Sequence, residues 1–339
     1  MAKKIKLADI AAALDVSVVT VSKALSDQKG VSEEMRLRIK ELAREWGYSR
    51  PSDKMEGGKQ HFQIGVIIPE QYLEKYEYFY WQLYREVHKS IKQEESTEVL
   101  EILEKEEERS LLLPQFVTER KVSGIIVIGK LEPLYEIALQ EEKLSVVYLE
   151  SYSAQTACDA VISNGYYGTY LLTRYLLSTG HIRIDFVGSY QYDTRVADRY
   201  LGYCKAMMEQ GQQVQDHQII EDRDSITRKI TEDSIVLPEA DMPTAFVCSS
   251  DLSAAMLING LRKNGYRVPN DISVVGFDNS MYPGLCDMGL TSFEVETGVL
   301  AKRCVELLLK RLNGEPVKTG IRIVEGRIIY RDSVHPGKA

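Results

Sequence analysis

Apolar residues recur at three- and four-residue intervals in three short runs at the start of the chain. From about residue 62 the rhythm changes to compact, nearly continuous apolar stretches. Leu7, Ile10, Ala11 and Leu14 share one helical face. So do Val21, Ala24 and Leu25, and then Met35, Ile39, Leu42, Ala43 and Trp46. Each spacing predicts a short amphipathic helix with those residues inward. Asp15-Val16-Ser17 interrupts the first pattern, and Ser17 is suited to cap the second helix. Ser32 plays the same part for the third, with Glu33 and Glu34 placed where carboxylates favour the helix dipole. Gln28-Lys29-Gly30 reads as a loop, and Gly47 ends the third helix.

Six later runs are rich in β-branched residues and end in glycine or a polar residue: Ile64-Gly-Val-Ile-Ile-Pro, Gly124-Ile-Ile-Val-Ile-Gly, Ser145-Val-Val-Tyr-Leu-Glu, Ile184-Asp-Phe-Val-Gly, Thr244-Ala-Phe-Val-Cys and Ile272-Ser-Val-Val-Gly-Phe. Apolar strands of this kind, separated by helical stretches, indicate parallel sheets covered on both faces. The fold class is therefore α/β: a small all-α head and a larger body with parallel sheets. The expected domains are 1–50 for the head, 51–62 for a linker and 63–336 for the body. The acidic run from Glu104 to Glu108 is expected on a solvated surface.

Charge sharpens this division. The formal net charge of the 339 residues is −8, yet residues 1–60 hold 12 Lys and Arg against 9 Asp and Glu, while the remainder holds 30 against 41. A basic head can neutralise phosphates while an acidic body keeps the chain in solution. The cysteines Cys158, Cys204, Cys248, Cys286 and Cys304 are scattered and odd in number, which argues against a disulfide framework and against zinc. Met1-Ala-Lys-Lys-Ile-Lys carries no apolar leader, and no apolar run of membrane-spanning length occurs. A cytosolic protein with no membrane partner is expected.

Two helices joined by a tight turn and closed by a third form a helix-turn-helix arrangement. The small Ser, Thr and Val side chains opening the second helix suit a major groove, where hydroxyls meet phosphates or base edges and methyls meet thymine. A three-helix unit that binds protein, with Ser17 serving only as a cap, remains an alternative on composition alone. The linker holds Pro51 and Gly57-Gly58 and reads as a hinge.

Lys6-Leu-Ala-Asp-Ile-Ala, Val16-Ser-Val-Val-Thr-Val-Ser-Lys-Ala-Leu, Gly30-Val-Ser and Gly47-Tyr48 together resemble the DNA-binding head of the LacI/GalR family. The resemblance implies that Ser17, Val18, Val19, Thr20, Ser22 and Lys23 supply major-groove contacts, with Val18 and Val19 at the two positions that set operator preference. Both are apolar, so methyl and shape readout is expected there. The family's linker usually carries a leucine that wedges into the minor groove. Here that position falls on or beside Gly57-Gly58, and Met55 is the only apolar side chain nearby. Insertion of Met55 and a linker without a wedge are both open.

The resemblance extends over the body through Asn164-Gly-Tyr-Tyr-Gly, Gly180-His181, Arg199-Tyr-Leu-Gly-Tyr, Asp251-Leu, Val275-Gly-Phe-Asp278 and Arg331-Asp-Ser-Val. It implies a two-lobed periplasmic-binding-protein-like fold, with one lobe of about 63–162 and 291–320 and another of about 163–290 and 321–336. In such folds a ligand sits at the carboxyl ends of the strands. Glu150, Arg199, Ser250 and Asp278 are the strand-end candidates for an effector. Phe79 and Tyr80 are candidates for stacking on a sugar ring. Carboxylates suit paired hydroxyls, and an arginine fork holds adjacent oxygens. Each residue also has a plain structural reading as an ion pair, a helix cap or a core aromatic. His181, after a glycine at a helix-to-strand turn, is expected to serve structure.

No P-loop, dinucleotide fingerprint, nucleophile elbow or metal-spaced cluster is present in the sequence. The expectation is therefore a non-enzymatic regulator without cofactor or metal. Its expected partners are double-stranded operator DNA, a small effector of carbohydrate type and a second copy of the chain in a homodimer. The competing readings are a regulator that answers to a non-sugar metabolite or a partner protein, a sugar-binding module without a regulatory role, and an enzyme on an α/β scaffold.

Overall fold

A computed structural model describes residues 7–25, 30–46, 61–73, 78–153, 157–225, 227 and 229–337. The chain divides into two compact units, Met1–Lys59 and Gln60–Ala339.

The first unit holds α1 (Leu7–Ala13), α2 (Val18–Leu25) and α3 (Glu33–Glu45) around Ile10, Ala11, Val21, Ala24, Ile39 and Ala43. Asp15 turns the chain between α1 and α2 at φ 49°, a left-handed conformation that aspartate tolerates better than most residues. The Val16 amide closes the turn on the Ala11 carbonyl at 3.1 Å. Trp46 departs from the expected buried stripe and is 38% exposed. Gln28, Lys29 and Gly47 lie outside the described residues, as does the whole linker including Met55 and Gly57-Gly58.

The second unit begins with β1 (Gln63–Pro69), α4 (Tyr78–Gln93) and β2 (Thr97–Leu103). Short helices α5 (Lys105–Arg109) and α6 (Gln115–Thr118) lead to β3 (Gly124–Ile128), α7 (Pro133–Glu141), β4 (Ser145–Leu149) and β5 (Asp159–Ser163). Then come α8 (Gly165–Ser178), β6 (Ile184–Val187), α9 (Thr194–Glu209), β7 (Ile219–Ile220), β8 (Ala245–Cys248), α10 (Asp251–Lys263) and β9 (Ser273–Asp278). The chain closes with β10 (Thr291–Glu294), α11 (Thr297–Leu312), β11 (Ile321–Val324) and β12 (Arg327–Ile329).

These strands form two six-stranded sheets, ordered β11-β5-β4-β3-β1-β2 and β12-β10-β9-β8-β6-β7. Every pairing is parallel except β10 with β12. All six apolar runs read from the sequence are strands. Each sheet is the floor of one lobe, buried under helices on both faces as parallel sheets require.

The lobe boundaries differ from expectation near the end of the chain. β10 pairs with β9, so residues 291–294 belong to the second lobe; β11 pairs with β5, so residues 321–324 belong to the first. The chain thus crosses between lobes at Asn164, at 295–296 and at 325–326. The crossings are fastened to one another. The Asn164 side chain donates from Nδ2 to both Glu325 carboxylate oxygens at 2.9 and 3.1 Å, and a Cβ on Gly326 would lie 2.2 Å from the Glu294 carbonyl oxygen.

Glu108 is an exception within the acidic run. It is buried and accepts the Glu132 amide at 2.6 Å. His181 is buried as well, paired with Thr244 Oγ1 at 3.0 Å and donating from Nε2 to the His335 carbonyl at 2.9 Å. Among the described residues no helix is long and apolar enough to cross a membrane.

Candidate functional site

In the head, the Ser17 hydroxyl accepts the Thr20 amide at 3.0 Å and lies 2.8 Å from Thr20 Oγ1, so it caps α2. Burying Val21 and Ala24, with Leu25 packed beside them, turns the opposite face of α2 outward. Val18 is 44% and Val19 61% exposed, Lys23 is exposed, and Thr20 and Ser22 are half-buried. Two partly solvent-facing valines at a helix start forfeit about half of the roughly 1.5–3 kcal/mol that full burial of each would contribute. An apolar surface of that kind is suited to a partner that covers it, and thymine methyls do so in a major groove. The first turn of α2 holds no acidic residue, leaving its positive end open to a phosphate.

In the body, the strand ends of the two lobes face one another. Glu150 follows β4 at φ 58°, is fully buried, and accepts the Ser163 amide at 2.5 Å and the Ser163 hydroxyl at 3.0 Å. Its carboxylate therefore clamps β4 to the end of β5, and it lies 4.0 Å from Arg195 Nη1. Opposite, Asp278 ends β9 at φ 104° and accepts Arg199 Nη2 at 3.0 Å. Burial pushes the Asp278 carboxyl up to about 6, while the Arg199 guanidinium pulls the other way. Arg199 is 3% exposed; its Nη1 donates to the Ser249 carbonyl, and its guanidinium stands 3.9 Å above the centre of the Phe277 ring. Its Nε is buried without a hydrogen-bond partner, as is Thr194 Oγ1 at the start of the same helix. Buried polar atoms left open in this way mark where a ligand or water completes the network.

The other candidates separate. Phe79 and Tyr80 are both buried in the same core cluster and meet edge-on at 5.3 Å; only Tyr80, its ring 4.4 Å from that of Tyr72, also meets a side chain of the second lobe, the Arg195 guanidinium. Ser250 accepts the Ser253 amide at 3.0 Å and serves as the N-cap of α10.

Sequence reasoning missed a second set. Asp193 and Arg195 sit at the start of α9, with Arg195 one turn before Arg199 and so on the same face. The buried Asp222 accepts the Ser189 amide at 2.9 Å and the Ser249 and Ser253 hydroxyls at 2.8 and 2.6 Å, tying three segments of the second lobe together. Direct bonds also span the cleft. The Tyr152 hydroxyl meets Asp198 at 3.3 Å, Lys130 Nζ donates to the Tyr192 carbonyl at 3.4 Å, and the Ser280 hydroxyl donates to Gln82 at 2.9 Å. The i to i+4 spacing of Arg195 and Arg199 was the one signal available for this set.

Beside the site, Asp251 accepts the Ser292 hydroxyl at 2.6 Å and the Ser280 amide at 2.8 Å. Burial, and then the charge of Asp278, push its carboxyl from the ordinary 3.8 up to about 7. A carboxyl raised on folding contributes stability that is complete at low pH and is lost as pH rises through its folded value. Body stability, followed by urea unfolding, is therefore expected to fall between about pH 4 and about pH 7, and less steeply in Asp251→Asn. Equal slopes for the two proteins would contradict this assignment.

A helix-turn-helix head on a two-lobed body with facing strand ends defines a DNA-binding regulator with a ligand-binding-protein-like body. Comparison with known proteins matches residues 6–51 to the bacterial regulatory proteins of the lacI family and residues 173–334 to a periplasmic binding protein-like domain. Catabolite control protein A of Priestia megaterium is 27% identical over 329 residues, covering 96% of this chain and 98% of its own. The HTH-type transcriptional repressor CytR of Escherichia coli K12 is 24% identical over 331 residues, covering 96% and 95%. Among solved structures, the Lac repressor dimer bound to operator and an anti-inducer aligns at TM-score 0.66 with 22% identity, over 98% of this chain and 99% of that one. The regulator CelR in complex with cellobiose aligns at 0.70 and 22%, over 97% and 99%; both likenesses concern the fold. Residues 6–51 thus match the DNA-binding head of the lacI family of bacterial regulatory proteins, and the chain is a DNA-binding transcriptional regulator.

Proposed function

We propose that the chain is a homodimeric repressor whose operator affinity is set by a sugar or sugar derivative bound between the two lobes. The observation that carries the effector reading is Arg199: a buried guanidinium held by Asp278 and the Ser249 carbonyl at the strand ends, with Nε unpartnered. The surroundings suit a polyhydroxylated ring. Carboxylates accept its hydroxyls, the arginine donates to its oxygens, and tyrosine rings cover its apolar face. Relatives of the same fold are described in complex with cellobiose and with ribose, which supports the same class. On the DNA side, Ser17, Thr20, Ser22 and Lys23 contact phosphates and base edges while Val18 and Val19 meet thymine methyls. Two copies would place two heads on successive major grooves.

The test is an anisotropy titration of a selected genomic fragment with and without a panel of sugars, amino acids and nucleosides. A sugar is expected to shift operator affinity by roughly tenfold, within the usual range of allosteric coupling. A shift produced only by an amino acid or nucleoside, or by none of the panel, would overturn the sugar assignment.

A further inference from the structure

The space between the lobes is already occupied by a side chain. Arg195 comes from α9 of the second lobe and reaches the aromatic residues of the first. Its guanidinium lies 5.8 Å from the centre of the Tyr72 ring and 5.2 Å from that of Tyr80. Asp193 fixes it there with Nε at 3.2 Å and Nη2 at 2.6 Å, and Glu150 of the first lobe stands 4.0 Å from Nη1. The side chain is only 11% exposed. Burial alone would raise the Asp193 carboxyl, but the Arg195 guanidinium holds it well below the usual carboxylate range.

We infer that Arg195 is an internal placeholder: its guanidinium fills the tyrosine-lined part of the cleft and holds the lobes together, and an effector enters by displacing it. The inference rests on the reading that the effector binds in this cleft, and it adds a requirement. A flat, delocalised cation covers aromatic faces and satisfies carboxylates at once. A ligand that takes its place must do both, presenting an apolar ring face to Tyr72 and Tyr80 and donors to Glu150 and Asp193. A pyranose-type ring carrying several hydroxyls meets both demands. A purely apolar ligand would strand the carboxylates, and an anionic one would face them.

The placeholder makes a prediction opposite in sign to that for a ligand-contacting residue. Removing a contact weakens binding, whereas removing a competitor strengthens it, because less of the protein is held in a state that excludes the ligand. Arg195→Ala in the full chain should retain its fold, since Asp193 still caps α9 through its bond to the residue 195 amide and alanine suits a first turn.

Hydrogen exchange of the ligand-free full chain provides the test. The Lys130 amide donates to the Tyr72 hydroxyl at 3.2 Å within the first lobe and the Ser189 amide to Asp222 at 2.9 Å within the second; both follow strand ends that face the other lobe, so solvent reaches them when the lobes part. They should be protected in the native chain and exchange roughly tenfold faster in Arg195→Ala, with Arg195→Lys between the two. The buried strands β3 and β9 should remain unchanged. Rapid exchange at Lys130 and Ser189 in the native chain, or no change on substitution, would overturn the placeholder. A sugar that shifts operator affinity should bind Arg195→Ala roughly tenfold more tightly, and weaker binding would overturn it as well. The two readings fail separately. Closure that depends on Arg195 without any response to sugars removes the sugar assignment alone. A sugar response without Arg195-dependent closure removes the placeholder alone.

Discussion

Arg199→Ala is expected to abolish effector control while leaving the operator affinity of the folded protein nearly unchanged, and to destabilise the body by about 3–5 kcal/mol. The size follows from what is left behind. Asp278 is deeply placed between lobes, its ion pair with Arg199 is 3.0 Å long, and the two side chains are 4% and 10% exposed. Removing the cation leaves a buried carboxylate with no compensating charge at that position, which costs far more than losing an exposed pair. Because burial already pushes Asp278 up to about 6, the penalty should be smallest in acid, where the carboxyl is protonated, and grow as pH rises through that value. Arg199→Met combined with Asp278→Asn should recover much of the stability without recovering the response. Urea unfolding and operator anisotropy on the same preparations separate the two effects. An equal loss of operator affinity in the folded variant would assign Arg199 to structure alone.

Gly202→Ala is expected to be comparably damaging for a different reason. The residue lies where α9 crosses α8, and an added Cβ would fall 2.0 Å from the Tyr166 carbonyl oxygen and 3.0 Å from the Tyr170 nitrogen. The obstacle is backbone, which cannot rotate away as a side-chain end can, so the helices must part along their length. A cost of about 3 kcal/mol, at the upper end of ordinary overpacking, is expected. Gly260→Ala is the matched control. It also lies inside a helix, α10, but nothing stands within 4 Å of its Cβ position. Relieving glycine's backbone entropy there should stabilise the chain by roughly 0.5–1 kcal/mol. Opposite signs in urea unfolding would attribute the effect to the crossing, and equal signs would contradict it.

These sites also show where reasoning from residues succeeds. α1, α2 and α3 are written in local periodicity, and burial of Val21 and Ala24 follows directly from it. Trp46 fits the pattern yet is exposed, because periodicity alone does not say whether a partner covers a position. The six apolar strands were legible because each is buried on both faces. β10 and β11 were not assigned correctly, since they are four residues each and are placed only by partners distant in the chain. Nothing local tells Thr291 to pair beside Val275 or Ile321 beside Ala160. In the cleft, Arg199 and Asp278 could be picked out as a motif at strand ends. Arg195 and Tyr72 acquire their roles only once the two lobes face one another, and Asp222 only once distant segments of the second lobe meet; no spacing in the sequence announces either.

In the proposed function, one chain couples operator binding to occupancy of the cleft. Thermodynamic linkage makes it testable with a single pair of numbers. The factor by which a sugar changes operator affinity must equal the factor by which operator DNA changes affinity for that sugar. Both are measured on the full chain, by anisotropy and by calorimetry. Equal factors of roughly tenfold are expected in the native chain and factors near one in Arg199→Ala. Specific operator binding that no cleft ligand alters, with the ligand's affinity equally indifferent to DNA, would contradict it.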